Sequence, residues 1–539
     1  MVYPYKNLKE FVQDLEAQGE LIRIKAPVDV DLEITEITDR ISKACCVDGN
    51  LANDKEHSFA NDLAKQIGNK ALLFENPIGY DMPVLINSMG SHKRMQMALG
   101  VDQDPKGYDL LADRIREFIK PEVPEALGDK IQKLMQLSEV RKFIPKVVNK
   151  GSCQDIVIYR EDNASLLDKL PIIKCWPDDG GNYITLTSVF TKDPDKLGSG
   201  RNVGMYRVQK FDNKTTAIHW HKHHDGAHIY QKSLKKVGEQ NRMELAVVVG
   251  ADPAIIYSGT APLPPGIDEM IMAGFIRRKP VELVKCKTID MEVPADAEIV
   301  IEGYIDLNED EVVEGPFGDH TGFYSLADKY PKFNVTCLTH AKDPIYATTI
   351  VGIPPQEDCY LGKATERIFL PLLQLVCPEI LDMSLPWDGV FHNCALVKID
   401  KKYAGQAQKV MNIMWGLGQM AWTKSIIVFD KEVDIHNYSE AAMHAFGNID
   451  PQRDIVFTKG ALDILDHAST IMGFGSKIGI DATRKWADEG FSREWPDIIE
   501  MSKDVKEQVD NRWQEYFAAV EAKKPEVQSS VDKIPHLVS

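Results

Sequence analysis

Two segments, AEIVIEGYIDL (297–307) and FNVTCLTHA (333–341), indicate the fold class of the middle of the chain. Both are short, rich in β-branched and apolar residues, and bounded by turn-forming residues, which is typical of strands. Similar runs begin near residue 153, namely DIVIYR, YITLTSVFTKD, NVGMYRVQKF, LAVVVGADPAII and VELVKCKTIDMEV. This pattern predicts an antiparallel sheet or barrel, interrupted by one helix around 268–277.

The sequence on either side of this β-rich part alternates between helical and strand patterns. Apolar spacing predicts helices over 8–18 and 32–44, and ALLFENP (71–77) and PVLINSMG (83–90) have the character of buried strands. The alternation resumes after about residue 344. We predict an α+β, multi-domain chain with an N-terminal α/β domain (1–125), a central β domain (126–343), a C-terminal α/β domain (344–504) and a terminal amphipathic helix with a tail (505–539).

Composition narrows the possible partners and the location. The 539 residues carry a net charge of −18, which argues against nucleic acid as a partner and against electrostatic docking on anionic membranes. The nine cysteines form no C-x-x-C pair, so neither a disulfide framework nor a cysteine-rich zinc site is indicated. Because the start lacks a signal-peptide pattern and no apolar run is long enough to span a membrane, a cytoplasmic location is expected.

The segment 201–230 is rich in side chains that bind metals and cofactors. It has the pattern of a hairpin, with two β-rich runs joined by FDNKT. His219, His221 and His223 alternate, so on a strand they would share one face and could ligate zinc, iron, nickel or copper. The same alternation also occurs on a polar sheet face that binds nothing.

Two further candidate residues depend on local geometry. In a regular strand, Asn202 and Arg207 would point to opposite faces, and Gly204 between them is the place where that alternation could break. Glu269 follows the turn PLPPGID and opens a predicted helix. A glutamate in a first helical turn more often stabilises the helix than performs chemistry.

The stretch VEGPFGDHTGFY (313–324) places Glu314 and Asp319 around a Gly-Pro-Phe-Gly turn, with His320 directly behind. Converging carboxylates repel when both are ionised, so we expect one pKa to rise and that group to deliver a proton near neutral pH. A nearby arginine would keep the other acid ionised and could bind a substrate carboxylate in bidentate fashion. The same stretch could also be an ordinary acidic loop.

Nine segments in order along the chain resemble the UbiD family of decarboxylases, which use prenylated FMN. No dinucleotide-binding, P-loop or serine-hydrolase motif competes with this resemblance. The segments are LEAQGELIRIKAPVDVDLEITEITDR, ALLFENPIGYDMPVLINSMG, LPIIKCWPDDGG, NVGMYR, ADPAIIYSG, VPADAEIVIEGYI, EGPFGDHTGFY, KKYAGQAQKVM and GFGSKIGIDATRKW.

The resemblance implies an architecture of three domains in which a central split β-barrel of the flavin-reductase type holds the cofactor. Family members are homo-oligomers, dimers built through the C-terminal domain or hexamers. The terminal helix carries an apolar stripe, which packs either on another subunit or on its own domain; the stripe comprises Val505, Val509, Trp513 and Phe517.

The resemblance also implies ligands for a divalent metal that bridges to the flavin phosphate. By motif these are Asn202, Glu269 and His223, and the metal is Mn²⁺ or another hard ion such as Mg²⁺. A potassium ion is expected nearby. The residues expected to line the cofactor are Met205, Tyr206, Arg207, His219, Trp220, His221, His224 and Asp225.

For catalysis, the resemblance implies that Arg207 orients the substrate carboxylate while the flavin accepts electrons as carbon dioxide leaves. Asp319 would then protonate the carbon, Glu314 would hold Arg207, and His320 would assist the proton relay. Two features depart from the family pattern. HWHKHHDG (219–226) is richer in histidine, and an insertion follows Cys45, which we interpret as a surface elaboration.

The predicted function is the reversible, non-oxidative decarboxylation of an aromatic, phenolic, 4-hydroxybenzoate-like acid in quinone biosynthesis. A flavin prenyltransferase would supply the cofactor, and a polyprenylated substrate would bring the enzyme to the membrane periphery without a span. Enzymes of menaquinone synthesis or aromatic degradation would share these motifs. Outside this enzyme class, a plain FMN oxidoreductase and a non-catalytic flavin-binding scaffold stay open.

Overall fold

The computed structural model describes residues 3–45, 64, 66–119, 141–162, 165–196, 200–221, 224–238, 240–264 and 266–521. Most of the insertion after Cys45, much of the predicted connector between 104 and 145, and His223 lie outside these residues. Within the described part of the chain, no helix combines the length and the apolar character needed to cross a bilayer.

The N-terminal part confirms the predicted alternation of helices and strands. Its elements are α1 (Leu8–Ala17), β1 (Leu21–Ile24), α2 (Glu33–Ser42), β2 (Ala71–Phe74), β3 (Val84–Ile86), α3 (His92–Leu99) and α4 (Asp109–Ile119). The chain leaves α1 at Gly19, whose φ of 68° suits glycine. The first three strands pair in the order β1-β2-β3, with a parallel and then an antiparallel ladder.

The central part confirms the predicted antiparallel sheet. Its strands are β4 (Lys146–Val148), β5 (Ile156–Tyr159), β6 (Tyr183–Ile184), β7 (Thr187–Lys192), β8 (Arg201–Gly204), β9 (Val208–Lys210), β10 (Thr215–Ile218), β11 (Arg242–Val249), β12 (Glu282–Lys285), β13 (Glu292–Pro294), β14 (Ile299–Asp306), β15 (Val312–Glu314), β16 (Asp328–Tyr330), β17 (Lys332–His340) and β18 (Tyr346–Ala347). A nine-stranded sheet runs β6-β9-β10-β17-β14-β11-β7-β8, with β5 also paired to β17. The segments 297–307 and 333–341 contain β14 and β17, which form its central ladder.

Residues along β11 show how this sheet is buried on both faces. Leu245, Val247 and Val249 pack into one apolar cluster, while the intervening Ala246 and Val248 pack into another. Successive strand residues point to opposite faces, so the alternation places a hydrophobic core on each side. Helices supply the surrounding apolar side chains; those of this part are α5 (Asp225–Leu234), α6 (Pro253–Ser258) and α7 (Glu269–Arg277).

Two details of the predicted hairpin are wrong. The first β-rich run is two strands, because β8 pairs with β7 whereas β9 pairs with β10. The second run ends at Ile218, so His219 and His221 lie beyond the strand. The physical reason is that the chain must turn here to start α5, for which His224 is the N-cap residue.

Two small sheets flank the large one. The first has the order β13-β12-β4, and the second is the β15-β16 pair. In the second, Glu314 is the last residue of β15 and faces Asp328. The β15-β16 pair therefore encloses the acidic turn that follows Glu314.

The C-terminal part forms a mixed five-stranded sheet in the order β19-β20-β21-β23-β22. The inner ladders β20-β21 and β21-β23 are parallel, and the outer two are antiparallel. Its elements are α8 (Glu357–Val376), β19 (Ile380–Ser384), β20 (Cys394–Ile399), α9 (Gln406–Trp415), β21 (Ser425–Asp430), α10 (Tyr438–Asn448), α11 (Pro451–Asp454), β22 (Ile455–Ala461) and β23 (Phe474–Asp481).

The chain divides into two compact units, Met1–Thr483 and Arg484–Ser539. The second contains a helix, α12 (Lys503–Glu521), where Trp513 and Phe517 pack ring against ring at 4.7 Å. The finer domain boundaries at residues 125, 343 and 504 stay predictions.

Candidate active site

Arg207 is the centre of the candidate active site. It lies between β8 and β9, where the pairing changes partner and the strand alternation breaks. Its side chain is 7% exposed, and its Nε and Nη2 donate to the two oxygens of Glu314 at 2.8 and 3.1 Å. Nη1 donates to Asp319 Oδ2, and Nη2 also donates to Ser325 Oγ at 2.9 Å. One buried cation therefore binds both acids of the turn.

Glu314 is fully buried and is held by two donors. Both donors belong to Arg207, and His219 Nδ1 lies 2.9 Å from Oε2. Gly315 follows with a φ of 92°, a conformation that favours glycine and turns the chain away from β15. Burial raises the pKa of Glu314, but His219 and Arg207 outweigh this effect and lower the pKa below its usual value. Glu314 is thus an ionised anchor for Arg207.

Asp319 is bound on both of its oxygens. Arg207 occupies Oδ2, while the backbone N–H and Nδ1 of His320 lie 2.8 Å from Oδ1. Burial raises the pKa of Asp319, but His320 and Arg207 hold it well below its usual range. Burial lowers the pKa of His320, yet Asp319 overcomes that effect and raises the pKa to about 9.

The expected rise in one carboxyl pKa is therefore wrong, because the pKa values of Glu314 and Asp319 are both lowered. The two carboxylates converge on Arg207 rather than on each other, so a cation separates the charges that were expected to repel. At neutral pH the proton of this cluster resides on His320, next to Asp319. His320 can therefore supply a proton to Asp319.

Two of the three alternating histidines contribute to the site. The His219 ring lies 4.3 Å from the Tyr330 ring, and its Nε2 is 2.8 Å from His221 Nε2. His219 Nδ1 lies 2.9 Å from Glu314 Oε2, which accepts hydrogen bonds, and 2.9 Å from Arg207 Nη2, which donates them. Burial and the charge of Arg207 lower the pKa of His219, which keeps it neutral.

An aromatic group lies beside these histidines. The Tyr206 ring lies edge-on to Trp220 with centroids 6.1 Å apart and tilts against His224 at 5.4 Å, while His221 and His224 stack at 4.6 Å. A Cβ on Gly204 would lie 2.4 Å from the Tyr206 ring, so glycine is required there. These rings form a compact aromatic group in which Trp220 and His221 are buried.

Glu269 is a buried carboxylate beside Asn202. It is buried at the start of α7, and its Oε2 accepts from the backbone N–H of Val203, the neighbour of Asn202, at 2.9 Å. Burial raises the pKa of Glu269 to about 8, and the charges of Asp268 and Asp225 add to this effect. A cation beside Glu269 would stabilise the ionised form of this buried carboxylate.

No cluster of three His, Cys, Asp or Glu side chains suited to a metal occurs among the described residues. The predicted set includes an amide, Asn202, and a third ligand, His223, that lies outside the described chain. The donors present, a carboxylate and an amide oxygen, suit a hard divalent ion.

Some predicted site residues lie at the edge of these clusters. Met205 donates from its backbone N–H to the Gly259 carbonyl at 3.1 Å, which ties the Arg207 segment to the end of α6. Asp225 opens α5 and acts on Tyr206 and Glu269 through its charge.

Sequence reasoning missed several contacts of the site. Ser325 accepts from Arg207, Phe317 places its ring 4.7 Å from the guanidinium, and Tyr330 covers His219. All three follow from the β15-β16 pair, whose partners sequence alone did not predict. His392, from the segment before β20, contacts His320 and carried no local signal.

Family models match most of the chain. Models for 3-octaprenyl-4-hydroxybenzoate carboxy-lyase match its N-terminal domain at 12–49 and 57–114, its Rift-related domain at 146–354 and its C-terminal domain at 359–482. The chain belongs to the UbiD family. An uncharacterised protein of Aquifex aeolicus is 49% identical over 95% of this chain and 99% of its own length.

Solved structures of UbiD-class enzymes are similar over nearly the full length. Vanillic acid decarboxylase of Sedimentibacter hydroxybenzoicus, in its closed form, is 25% identical with a TM-score of 0.78, covering 96% of this chain and 100% of that one. An evolved dimeric form of HmfF from Pelotomaculum thermopropionicum, in complex with prFMN, is 26% identical with a TM-score of 0.69, covering 93% and 98%.

These findings confirm the family and the enzyme class. UbiD family members are prenylated-FMN-dependent carboxy-lyases, and this chain is an enzyme of that class, a decarboxylase of aromatic acids. The mixed α+β, multi-domain architecture is confirmed at the same level.

Proposed function

We propose that this enzyme catalyses the reversible, non-oxidative decarboxylation of a phenolic, 4-hydroxybenzoate-like acid, with prenylated FMN bound against the central sheet. The observation that carries the proposal is the buried Arg207, held between Glu314 and Asp319 with a protonated histidine behind the second acid. A flavin oxidoreductase would need none of these groups.

The residues around Arg207 would bind the cofactor. Met205 and Tyr206 directly precede Arg207, and the other proposed residues follow β10 or open α5, namely His219, Trp220, His221, His224 and Asp225. We propose that the nine-stranded sheet is the split β-barrel that encloses it. When bound, prenylated FMN supplies an electrophilic centre that accepts the electron pair released as carbon dioxide leaves.

Arg207 would orient the substrate, because its guanidinium presents several donors in a planar fork that matches a carboxylate. Glu314 keeps that fork in place with a bidentate ion pair. The carbon that loses carbon dioxide must gain a proton, which Asp319 would deliver. Asp319 would first take this proton from His320 Nδ1, 2.8 Å from its Oδ1.

We propose that Asn202 and Glu269, with His223, hold Mn²⁺ or Mg²⁺ as an anchor for the flavin phosphate. The buried carboxylate of Glu269, whose pKa burial raises to about 8, supports this assignment. The metal would neutralise the phosphate rather than act on the substrate. A potassium ion is proposed to lie nearby.

Several features of the biological setting belong to the same proposal. Enzymes of this class require a flavin prenyltransferase as supplier, and we propose a homo-oligomer, a dimer or a hexamer. The family description names a polyprenylated hydroxybenzoate, which supports quinone biosynthesis and peripheral contact with a membrane. The likeness to vanillic acid decarboxylase supports a phenolic substrate, including one from aromatic degradation.

The deciding experiment is mass spectrometry of the bound cofactor on protein produced together with a flavin prenyltransferase. We expect the mass of prenylated FMN, followed by carbon dioxide release from phenolic acids but not from matched acids without a hydroxyl. Plain FMN despite an active prenyltransferase would contradict the proposal and favour an oxidoreductase.

A further inference from the structure

His392 makes a contact that the roles of Arg207, Glu314, Asp319 and His320 leave unexplained. Its Nε2 lies 2.8 Å from His320 Nε2. His392 belongs to the segment between a short 3₁₀ helix (Trp387–Gly389) and β20, far along the chain from the acidic turn. The C-terminal part of the chain thus supplies a side chain to the proton-donating group of the central part.

The protonation of this pair follows from its neighbours. His320 Nδ1 faces the Asp319 carboxylate at 2.8 Å, and an ionised carboxylate can only accept, so Nδ1 carries a proton. Two ring nitrogens 2.8 Å apart need one proton between them. Asp319 raises the pKa of His320 to about 9, so at neutral pH both of its ring nitrogens carry N–H groups and His392 Nε2 is the acceptor.

The charges around the pair agree with this assignment. Burial and the positive charge of His320 lower the pKa of His392 to about 4. The carboxylates that act on His320 are Asp319, Asp358 and Asp463, and Asp463 and Asp319 also act on His392. A cation, Arg207, binds the other oxygen of Asp319.

The backbone before His392 is held in a costly conformation. Val390 and Phe391 have φ values of 51° and 41°, which side chains other than glycine rarely adopt, least of all a β-branched one. The turn brings the Phe391 ring into a stack with His320, with centroids 5.4 Å apart and planes 19° apart. Phe391 and His392 therefore hold the imidazole of His320 on its face and on its far nitrogen.

We propose that His392 is a positioning residue for the decarboxylation of the proposed function, on which this inference rests: by accepting from His320 Nε2, it holds His320 with its Nδ1–H directed at Asp319. The proton-donating group is then a line of three side chains, Asp319, His320 and His392. The proton on His320 Nδ1 moves to Asp319, Asp319 delivers it to the substrate carbon and is again a carboxylate, and His320 is left neutral with its Nε2–H bound to His392. Solvent then restores the proton for the next turnover.

The test is a ¹⁵N-histidine NMR titration of the full chain, with the His320 signals assigned by their loss in His320→Gln. In the wild type we expect a doubly protonated His320 up to a pH of about 9. His392→Phe keeps a flat ring but removes the acceptor, and should lower that midpoint by about one unit or more. His392→Gln offers an amide oxygen and should restore most of the shift, and His228→Gln, on the exposed side of α5, should change nothing.

The pH profile of kcat for loaded enzyme supplies the second readout. Its basic limb should move with the NMR midpoint in each variant. A wild-type midpoint for His320 below a pH of about 7, or one unchanged in His392→Phe, would overturn the proposal. A wild type that decarboxylates no phenolic acid while the midpoints shift as expected would refute the proposed function and leave the assignment of His392 intact.

Discussion

Asp319 is the residue on which turnover should depend most directly. Asp319→Asn removes the group that transfers the proton but keeps an oxygen that can accept from Arg207. We expect a loss of turnover of at least ~10²- to 10⁴-fold, with the fold and flavin content unchanged. Carbon dioxide release, circular dichroism and flavin absorbance check this outcome. Asp328→Asn, on strand β16, is the control. Normal turnover of Asp319→Asn would contradict the role of Asp319 as proton donor.

His320 should couple stability to pH. Its pKa in the folded state, about 9, is raised above its ordinary value of 6.5, so its contribution is fully present below about 6.5 and is lost as pH rises through about 9. The melting temperatures of cofactor-free wild type and His320→Gln should therefore differ most near pH ~6 and converge by pH ~10. A constant difference across this range would mean that His320 is not protonated in the fold.

For single residues, sequence predicted the identities of the acids but not their protonation. Glu314 and Asp319 are found by inspection because they lie five positions apart around one turn. Their pKa values depend on Arg207, which lies far earlier in the chain and enters between them only after folding. Local spacing carries no information about that cation.

Among the elements, the hairpin 208–218 was predictable and its continuation was not. Alternating side chains and the FDNKT turn specify β9 and β10. The histidines beyond Ile218 continue the alternation in sequence, yet hydrogen bonds to Glu314 and the start of α5 determine their positions. Tertiary contacts override strand propensity there.

Strand β8 and helix α7 should together control metal and flavin content. Asn202→Ala removes one predicted ligand next to the backbone N–H that binds Glu269. We expect metal and flavin to fall together, measured by elemental analysis and absorbance on the same sample. Asn308→Ala, in an exposed turn, is the matched control, and unchanged content of both would refute the ligand role.

Helix α12 should act in assembly. Trp513 is 52% exposed and Phe517 is 42% exposed, large apolar areas for a helix of a single chain. Trp513→Ser should therefore shift the protein to a smaller species in analytical ultracentrifugation. Asn511→Ser, on another face of the helix, should not, and an unchanged assembly in Trp513→Ser would assign the stripe to contacts within one chain.

For the whole molecule, the order of the folded parts was predictable and their long-range pairings were not. The β-rich sequence between 153 and 340 contains the strands of the nine-stranded sheet. However, β18 pairs with β3, and β4 pairs with β12. These strands are far apart in sequence, and the periodicity of apolar residues predicts no pairing at such distances. Such pairings depend on the packing of two cores rather than on local pattern.

Removal of the metal should destabilise the loaded enzyme as a whole. A ligand that binds only the folded state adds about 2.7 kcal/mol at roughly 100 times its Kd. A chelator should therefore lower the melting temperature of the wild type and release flavin. The melting temperature of Glu269→Gln should be the same with and without the chelator. An unchanged melting temperature of the wild type in the presence of the chelator would mean that no structural divalent ion is bound.

The pairing of Arg207 with both acids has a further consequence for the order of events. Arg207 Nη1 donates a hydrogen bond to Asp319 Oδ2. A substrate carboxylate that takes this donor removes one of the two cations that keep Asp319 ionised, while His320 remains beside it as a source of protons. Substrate binding and protonation of Asp319 are then thermodynamically linked. Asp319 takes up a proton when the substrate binds, and it is a carboxylate before that.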